Sequence, residues 1–195
     1  MTMRHSRNGF TLVELMIVVA VIGILSVLAI FGVRQHLAAT KASEARNNLG
    51  AINRSAVAAY EREGAPSELQ TGGTANATQA LCKSSTAVPA VTPASAKYTA
   101  TATDYHVPGE KPDTGWTCLG FEVTGPQYYQ YKYDRAATSS IATVAVPPAG
   151  ASWIAAAVGD LDGNGIKSNF VTGGMIDATK RPITFTEIVV ANDGE

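Results

Sequence analysis

The sequence predicts an α+β protein: a long N-terminal helix, apolar in its first half and amphipathic in its second, packed on a four-stranded antiparallel β-sheet. Three patterns carry this reading. Residues 10–33 form an almost uncharged apolar block. A stripe of small apolar residues then recurs at alternating spacings of four and three. The C-terminal half breaks into short strand-like runs separated by Gly, Pro and Asn. Only 16% of the 195 residues are charged, against about 25% in ordinary soluble domains, and the mean hydropathy is +0.06. Fifteen Lys and Arg against sixteen Asp and Glu leave a formal charge of −1, so no global basic field exists to hold nucleic acid. Two cysteines cannot build a Cys-rich zinc module, and His5, His36 and His106 are scattered. No Ser/His/Asp or Cys/His arrangement, phosphate loop or complete metal set can be assembled, so an enzyme is not expected.

The first element runs from Phe10 to Val33. Its only formal charge is Glu14, with Thr11 and Ser26 as the other polar side chains. A helix of this length rises roughly 36 Å, enough to cross a hydrocarbon core of about 30 Å. Arg4, His5 and Arg7 precede it and favour a cytoplasmic start, with the rest of the chain exported. A cleavable secretory signal would have an apolar region of about 7–15 residues and a small-residue cleavage site behind it. This block is longer, and residues 29–37 offer no convincing site. A plain membrane anchor fits the length but leaves Glu14 unexplained. A carboxylate in such a segment costs on the order of 2.5–3.5 kcal/mol and calls for a partner, yet the block holds no Lys or Arg. Cleavage between Gly9 and Phe10 would supply one: a new ammonium at Phe10, one turn from Glu14 or facing it from a neighbouring subunit.

The run Arg7-Asn8-Gly9-Phe10-Thr11-Leu12-Val13-Glu14-Leu15-Met16 resembles the class III signal of type IV pilins and related pseudopilins: a basic leader, Gly, Phe-Thr-Leu-x-Glu and an apolar stretch. The resemblance covers about the first 60 residues. Chain length and the segment 159–165 set it nearest the major pilins of myxobacteria. It implies a pilin fold with residues 1–9 as cleaved leader, 10–33 as transmembrane and assembly helix, 34–63 as its amphipathic continuation, and 64–195 as the loop-rich sheet domain. It further implies that a prepilin peptidase cuts after Gly9 and methylates the amine of Phe10. Glu14 would then neutralise the N-terminus of an adjoining subunit. Many relatives carry proline where this chain has Phe31, so the family's kink is not carried over, although Gly32 follows.

Beyond Val33 the apolar stripe is Ala38, Ala42, Ala45, Leu49, Ile52, Ala56 and Ala59, with Arg34, Lys41, Glu44, Arg46, Asn47, Arg54, Glu61 and Arg62 on other faces. Glu63-Gly64-Ala65-Pro66 is the expected stop. Residues 64–115 read as a long connection with about one short helix or strand, including Gly72-Gly73. A stretch of that length needs a pin to the core. A disulfide between Cys82 and Cys118 is expected once the domain is exported. It would close a loop of about 36 residues and stabilise by about 3–4 kcal/mol in the chain-entropy model. Two free thiols are the alternative.

Residues 116–123, a turn at Gly125-Pro126, and residues 127–133 read as a hairpin, with 152–158 and 183–191 completing four strands. Tyr129, Tyr131 and Tyr133 share one strand face, which favours cross-strand packing over a ligand platform built with Tyr128 and Trp116. Gly159-Asp160-Leu161-Asp162-Gly163-Asn164-Gly165 matches the first half of an EF-hand loop through Asp160, Asp162 and Asn164. Val171 occupies the position of the closing glutamate. A tight turn is therefore the favoured reading, with no cofactor. A truncated Ca²⁺ site that borrows Ser168 is the alternative.

The resemblance implies a structural role as major subunit of a type IV pilus, polymerising through the N-terminal helix for twitching or gliding motility and adhesion. The implied partners are other copies of the chain in a helical filament, the prepilin peptidase, the inner-membrane assembly machinery with its ATPase, an outer-membrane secretin and minor pilins. The precursor would sit in the inner membrane with its leader cytoplasmic and its globular domain periplasmic, and the mature protein in an extracellular filament. A type II secretion pseudopilin is the alternative, followed by a DNA-uptake pilin or anchored adhesin. The last two need an exposed basic or aromatic patch.

Overall fold

The computed structural model describes residues 9–62, 79–143 and 150–193. The leader residues Arg4, His5 and Arg7, the expected helix stop at 63–66 and Gly72-Gly73 lie outside them. Helix α1 spans Leu12–Glu61, starting two residues later than the sequence suggested. The chain divides into two units, Met1–Leu37 and Ala38–Glu195.

In the first unit, residues 12–33 of α1 are apolar on every face apart from Glu14. Leu12–Ile30 is long and apolar enough to cross a membrane, with a mean hydropathy of 2.8, and none of it is buried. Ile22, Leu25 and Leu28 are all more than half exposed. A helix without a polar face has no soluble side to present and needs lipid or other helices around it. The hydroxyl of Ser26 donates to the Ile22 carbonyl at 2.8 Å, so this polar group is satisfied on its own helix. Gly32 has open space around it, while the side chain of Phe31 is outside the description.

In the second unit the outer part of α1 buries Ala42, Ala45, Leu49, Ile52 and Ala56 in one core with the aromatic face of a sheet, and Tyr60 is buried as well. Ala38 and Ala59, expected in that stripe, are only partly buried. Asn53 takes a stripe position instead, as a buried polar group. The sheet has five strands. In chain order the remaining elements are β1 (Tyr98–Thr99), α2 (Ala102–Tyr105), α3 (Gly115–Leu119), β2 (Pro126–Gln127), β3 (Gln130–Asp134), β4 (Trp153–Gly159), β5 (Ser168–Ile176), β6 (Pro182–Thr184) and β7 (Val189–Ala191). The main sheet runs β3-β4-β5-β6, all antiparallel, and β7 also pairs with β5. Strands β6 and β7 thus lie end to end along β5: Met175 is opposite Ile183 and Phe170 opposite Val190.

Strand β4 is buried along all seven residues because both its faces are covered. Trp153, Ala155 and Ala157 face α1 together with Tyr131 and Tyr133. Ile154 and Ala156 pack with Val171 under Ile141, Ala142 and Ala151. The alanines opposite Tyr131 and Tyr133 leave room for the rings, which is the large-against-small fit a close-packed core requires.

The connection 64–115 holds both β1 and α2 where one short element was expected. Four further expectations are corrected. The first is the hairpin proposed for 116–123 and 127–133, which does not form. Trp116–Leu119 lies instead in the short helix α3, closed by Gly120 in the left-handed conformation (φ 66°, ψ 35°), with the Gly120 amide donating to the Trp116 carbonyl. Trp116 and Leu119, three apart, are both buried, so the three-residue spacing prevailed over the apparent alternation. Second, Pro126 is not a turn residue but pairs with Thr99 in a separate two-stranded sheet. Third, residues 183–191 supply two strands rather than one. Fourth, β5 was not anticipated, although it is the centre of the sheet. Its run Ser-Asn-Phe-Val-Thr-Gly-Gly lacks a clean alternation because successive residues are buried on both faces of the strand, while β4 pairs along one edge and β6 and β7 along the other. Gly173 and Gly174 are needed there: a Cβ at Gly173 would overlap the Trp153 carbonyl, and one at Gly174 the Trp153 ring.

Candidate functional site

The start of α1 is built around two residues. Gly9 and Phe10 are exposed and non-helical. Thr11 precedes the helix, and its backbone amide and hydroxyl donate to Glu14 Oε2 at 2.9 and 2.8 Å. The Glu14 amide donates back to Thr11 Oγ1 at 3.3 Å. This is a capping box, Thr-x-x-Glu, in which side chains satisfy amides that a helix start leaves without partners. The sequence reading missed this role of Thr11, although the Thr11–Glu14 spacing signals it. The Glu14 carboxylate projects from a segment that is otherwise apolar and exposed on all sides, one turn from the Gly9–Phe10 bond.

The other sequence-derived residues lie in the sheet-bearing unit and serve its structure. Cys82 and Cys118 are disulfide-bonded, with Cα atoms 5.8 Å apart and a separation of 36 residues. Beside them the chain is zipped across: the Lys83 amide donates to the Asp113 carbonyl, the Gly115 amide to the Lys83 carbonyl, and Lys83 Nζ pairs with Asp113 at 2.7 Å. The start of α3 is thereby tied to residues 82–83, giving the long connection the pin it requires.

Residues 160–165 close the β4–β5 hairpin. Asp160 Oδ1 accepts from the Gly163 amide at 2.7 Å and Oδ2 from the Gly165 amide at 3.1 Å. Asp162 accepts from the Asn164 amide and side-chain amide, and Asn164 Oδ1 from the Ile166 amide. The side-chain oxygens are thus turned on the loop's own N–H groups, as in Asx turns. Ser168 donates to the Gly159 carbonyl, and Val171 is buried in β5. Among the described residues no three His, Cys, Asp or Glu side chains come together as a metal site.

The aromatic residues are core groups. Tyr129, Tyr131 and Tyr133 are fully buried, and burial holds the Tyr129 hydroxyl up at about 12. Trp116 is buried and its indole N–H donates to the Thr86 carbonyl at 2.9 Å. Tyr128 is half-buried between Lys41 and Lys97, at 4.7 and 5.1 Å from its ring. Next to it, Glu44 accepts from the Tyr128 amide and the Tyr131 hydroxyl, and burial, the dominant cause, raises its pKa above the ordinary glutamate value.

A model of the prokaryotic N-terminal methylation motif matches residues 4–30. The N-terminal segment carries the prepilin methylation motif. The type IV major pilin protein PilA of Myxococcus xanthus (strain DK1622) is 57% identical over 49 residues, 25% of this chain. That match spans about a fifth of the pilin's own length, 22%. No solved structure matches the chain. The prepilin motif coincides with the part of α1 that is apolar on all faces. The apolar helix and largely antiparallel sheet are the α+β design expected of a pilin.

Proposed function

We propose that the chain is the major structural subunit of a type IV pilus, made as a membrane-anchored precursor and polymerised through residues 10–33 into a surface filament for motility and adhesion. The observation that carries this reading is Glu14: a single carboxylate in an apolar helix whose side chains are exposed all round, behind a Gly9–Phe10 bond that resembles a processing site. A subunit held in lipid by that helix loses no apolar contact when identical helices replace the lipid. The ammonium freed at Phe10 answers the charge that lipid alone leaves unpaired. Removal of Arg4 and Arg7 with the leader takes the formal side-chain charge from −1 to −3. Prepilin peptidase, the inner-membrane assembly machinery and an outer-membrane secretin are the partners this reading requires.

N-terminal mass spectrometry of the exported protein tests it. The expected first residue is Phe10 with an N-methyl group; surface protein beginning at Met1 would overturn the processing step. Charge reversal of Glu14→Lys is expected to abolish fibres while leaving membrane insertion intact. Deletion of the gene separates the alternative of a secretion pseudopilin, since retained fibres with blocked exoprotein release would point to that role.

A further inference from the structure

We propose that the tip of the β4–β5 hairpin, residues 162–165, is a self-modification site that the Asp160 carboxylate keeps silent. The inference stands apart from the filament reading. Asp162-Gly163 and Asn164-Gly165 each set an acid or amide side chain directly before glycine, and all four residues are exposed. Gly163 and Gly165 have φ of 81° and 89°, a backbone conformation the turn requires and glycine adopts at no steric cost. The turn therefore places an unhindered amide next to each reactive side chain. A Cβ at Gly165 would have open space around it, whereas one at Gly163 would meet Ser95 at 3.2 Å, so Asn164 is the less shielded of the two.

The reaction needs only water and hydroxide. The Gly165 nitrogen, once hydroxide has taken its proton, attacks Asn164 Cγ. The N–Cγ bond forms, the Cγ–Nδ2 bond breaks, and ammonia leaves with a proton from water. Hydrolysis of the cyclic imide then returns aspartate or isoaspartate, with one more negative charge on the loop. Gly163 attacking the protonated Asp162 carboxyl follows the same course with water as the leaving group. Both attacking nitrogens are the ones Asp160 holds: Oδ1 accepts from the Gly163 amide at 2.7 Å and Oδ2 from the Gly165 amide at 3.1 Å. A carboxylate against an N–H opposes loss of its proton, because the anion left behind would face a like charge. It also points each N–H at Asp160. The Asn164 side chain is tied as well: Nδ2 donates to Asp162 Oδ2 at 2.8 Å, and Oδ1 accepts from the Ile166 amide at 2.6 Å. Asp160 is thus a positioning residue, with one oxygen on each labile pair.

The test ages the full-length detergent-solubilised protein at mildly alkaline pH and compares it with Asp160→Asn. Peptides spanning 162–165 are scored by mass spectrometry for conversion of amide to acid at Asn164, and isoaspartyl forms are resolved by chromatography. Near-ultraviolet circular dichroism establishes that the variant is folded at the ageing temperature, so that unfolding is not scored as loss of the guard. Conversion at Asn164 is expected to be about 10- to 150-fold faster in the variant, the effect of losing a hydrogen bond to a charged acceptor. Equal rates in variant and parent would overturn the role of Asp160. Amide hydrogen exchange on the parent decides the matter if the variant does not fold. The Gly163 and Gly165 amides should exchange at least about tenfold more slowly than in the urea-unfolded chain, and exchange as fast as in urea would overturn the proposal.

Discussion

Replacing Asn53 by leucine probes how α1 is seated on the sheet. Asn53 is 6% exposed in the apolar stripe and meets three groups. Its Oδ1 accepts from Trp153 Nε1 at 3.1 Å; its Nδ2 donates to Thr172 Oγ1 at 3.2 Å and approaches the Gly173 carbonyl at 3.5 Å. Leucine fills a similar volume, so the cost comes from polar groups left behind rather than from a cavity. Two of the three retain other bonds: the Thr172 hydroxyl donates to the Glu187 carbonyl, and the Gly173 carbonyl accepts from the Phe185 amide at 2.8 Å. Trp153 Nε1, on a side chain with 0% exposure, has no second acceptor among the described residues. One orphaned buried donor costs about 1–3 kcal/mol. At about 2–4 °C per kcal/mol for a chain of this size, the midpoint should fall by about 2–12 °C. The assay is thermal unfolding of the detergent-solubilised protein, followed by near-ultraviolet circular dichroism. Trp153→Phe removes the same donor, so the double variant should cost about 1 kcal/mol less than the two single variants combined. A leucine variant that melts with the parent, or strictly additive costs, would refute the claim that this bond holds helix to sheet.

Two further outcomes follow from the site geometry. Asp160→Ala should destabilise by about 1–3 kcal/mol, because Asp160 is nearly buried and accepts two loop amides; calcium or a chelator should leave the parent's melting temperature unchanged, and a calcium-dependent rise in the parent would make the loop a cation site. Glu44, whose pKa burial raises, favours its protonated form in the folded state. Its contribution is therefore full below the unfolded glutamate pKa of about 4.3 and lost as pH rises through the folded value. Glu44→Gln should remove that loss, giving a flatter stability profile above pH 4.3, and identical profiles would count against it.

Some of this architecture was legible residue by residue. The apolar block, its single carboxylate and the amphipathic stripe from Ala42 to Ala56 depend on spacing along one helix, and each is local. Tyr129, Tyr131 and Tyr133 were legible as one buried face because strand periodicity needs no knowledge of the partner strand. The Cys82–Cys118 bond followed from there being two cysteines and from the expected export. The capping box was also local, since the Thr-x-x-Glu spacing alone brings Thr11 and Glu14 together.

What remained hidden depended on distant residues. Whether 168–176 is a strand depends on Trp153, since glycines that weaken an isolated strand are what let the Trp153 backbone and ring come close at Gly173 and Gly174. Whether Trp116 begins a strand or a helix depends on the core into which Trp116 and Leu119 turn, and on the ties from Lys83 that fix the preceding chain. Whether Asp160 and Asp162 face outward or inward depends on the hairpin that β4 and β5 close around them. The sequence alone therefore determined the membrane-length helix, with its single carboxylate and its methylation motif, because hydropathy, length and spacing act along the chain. Only the tertiary structure decided the centre of the sheet and the state of its loops, because there the conformation of each segment is set by which side chains from elsewhere it must accommodate.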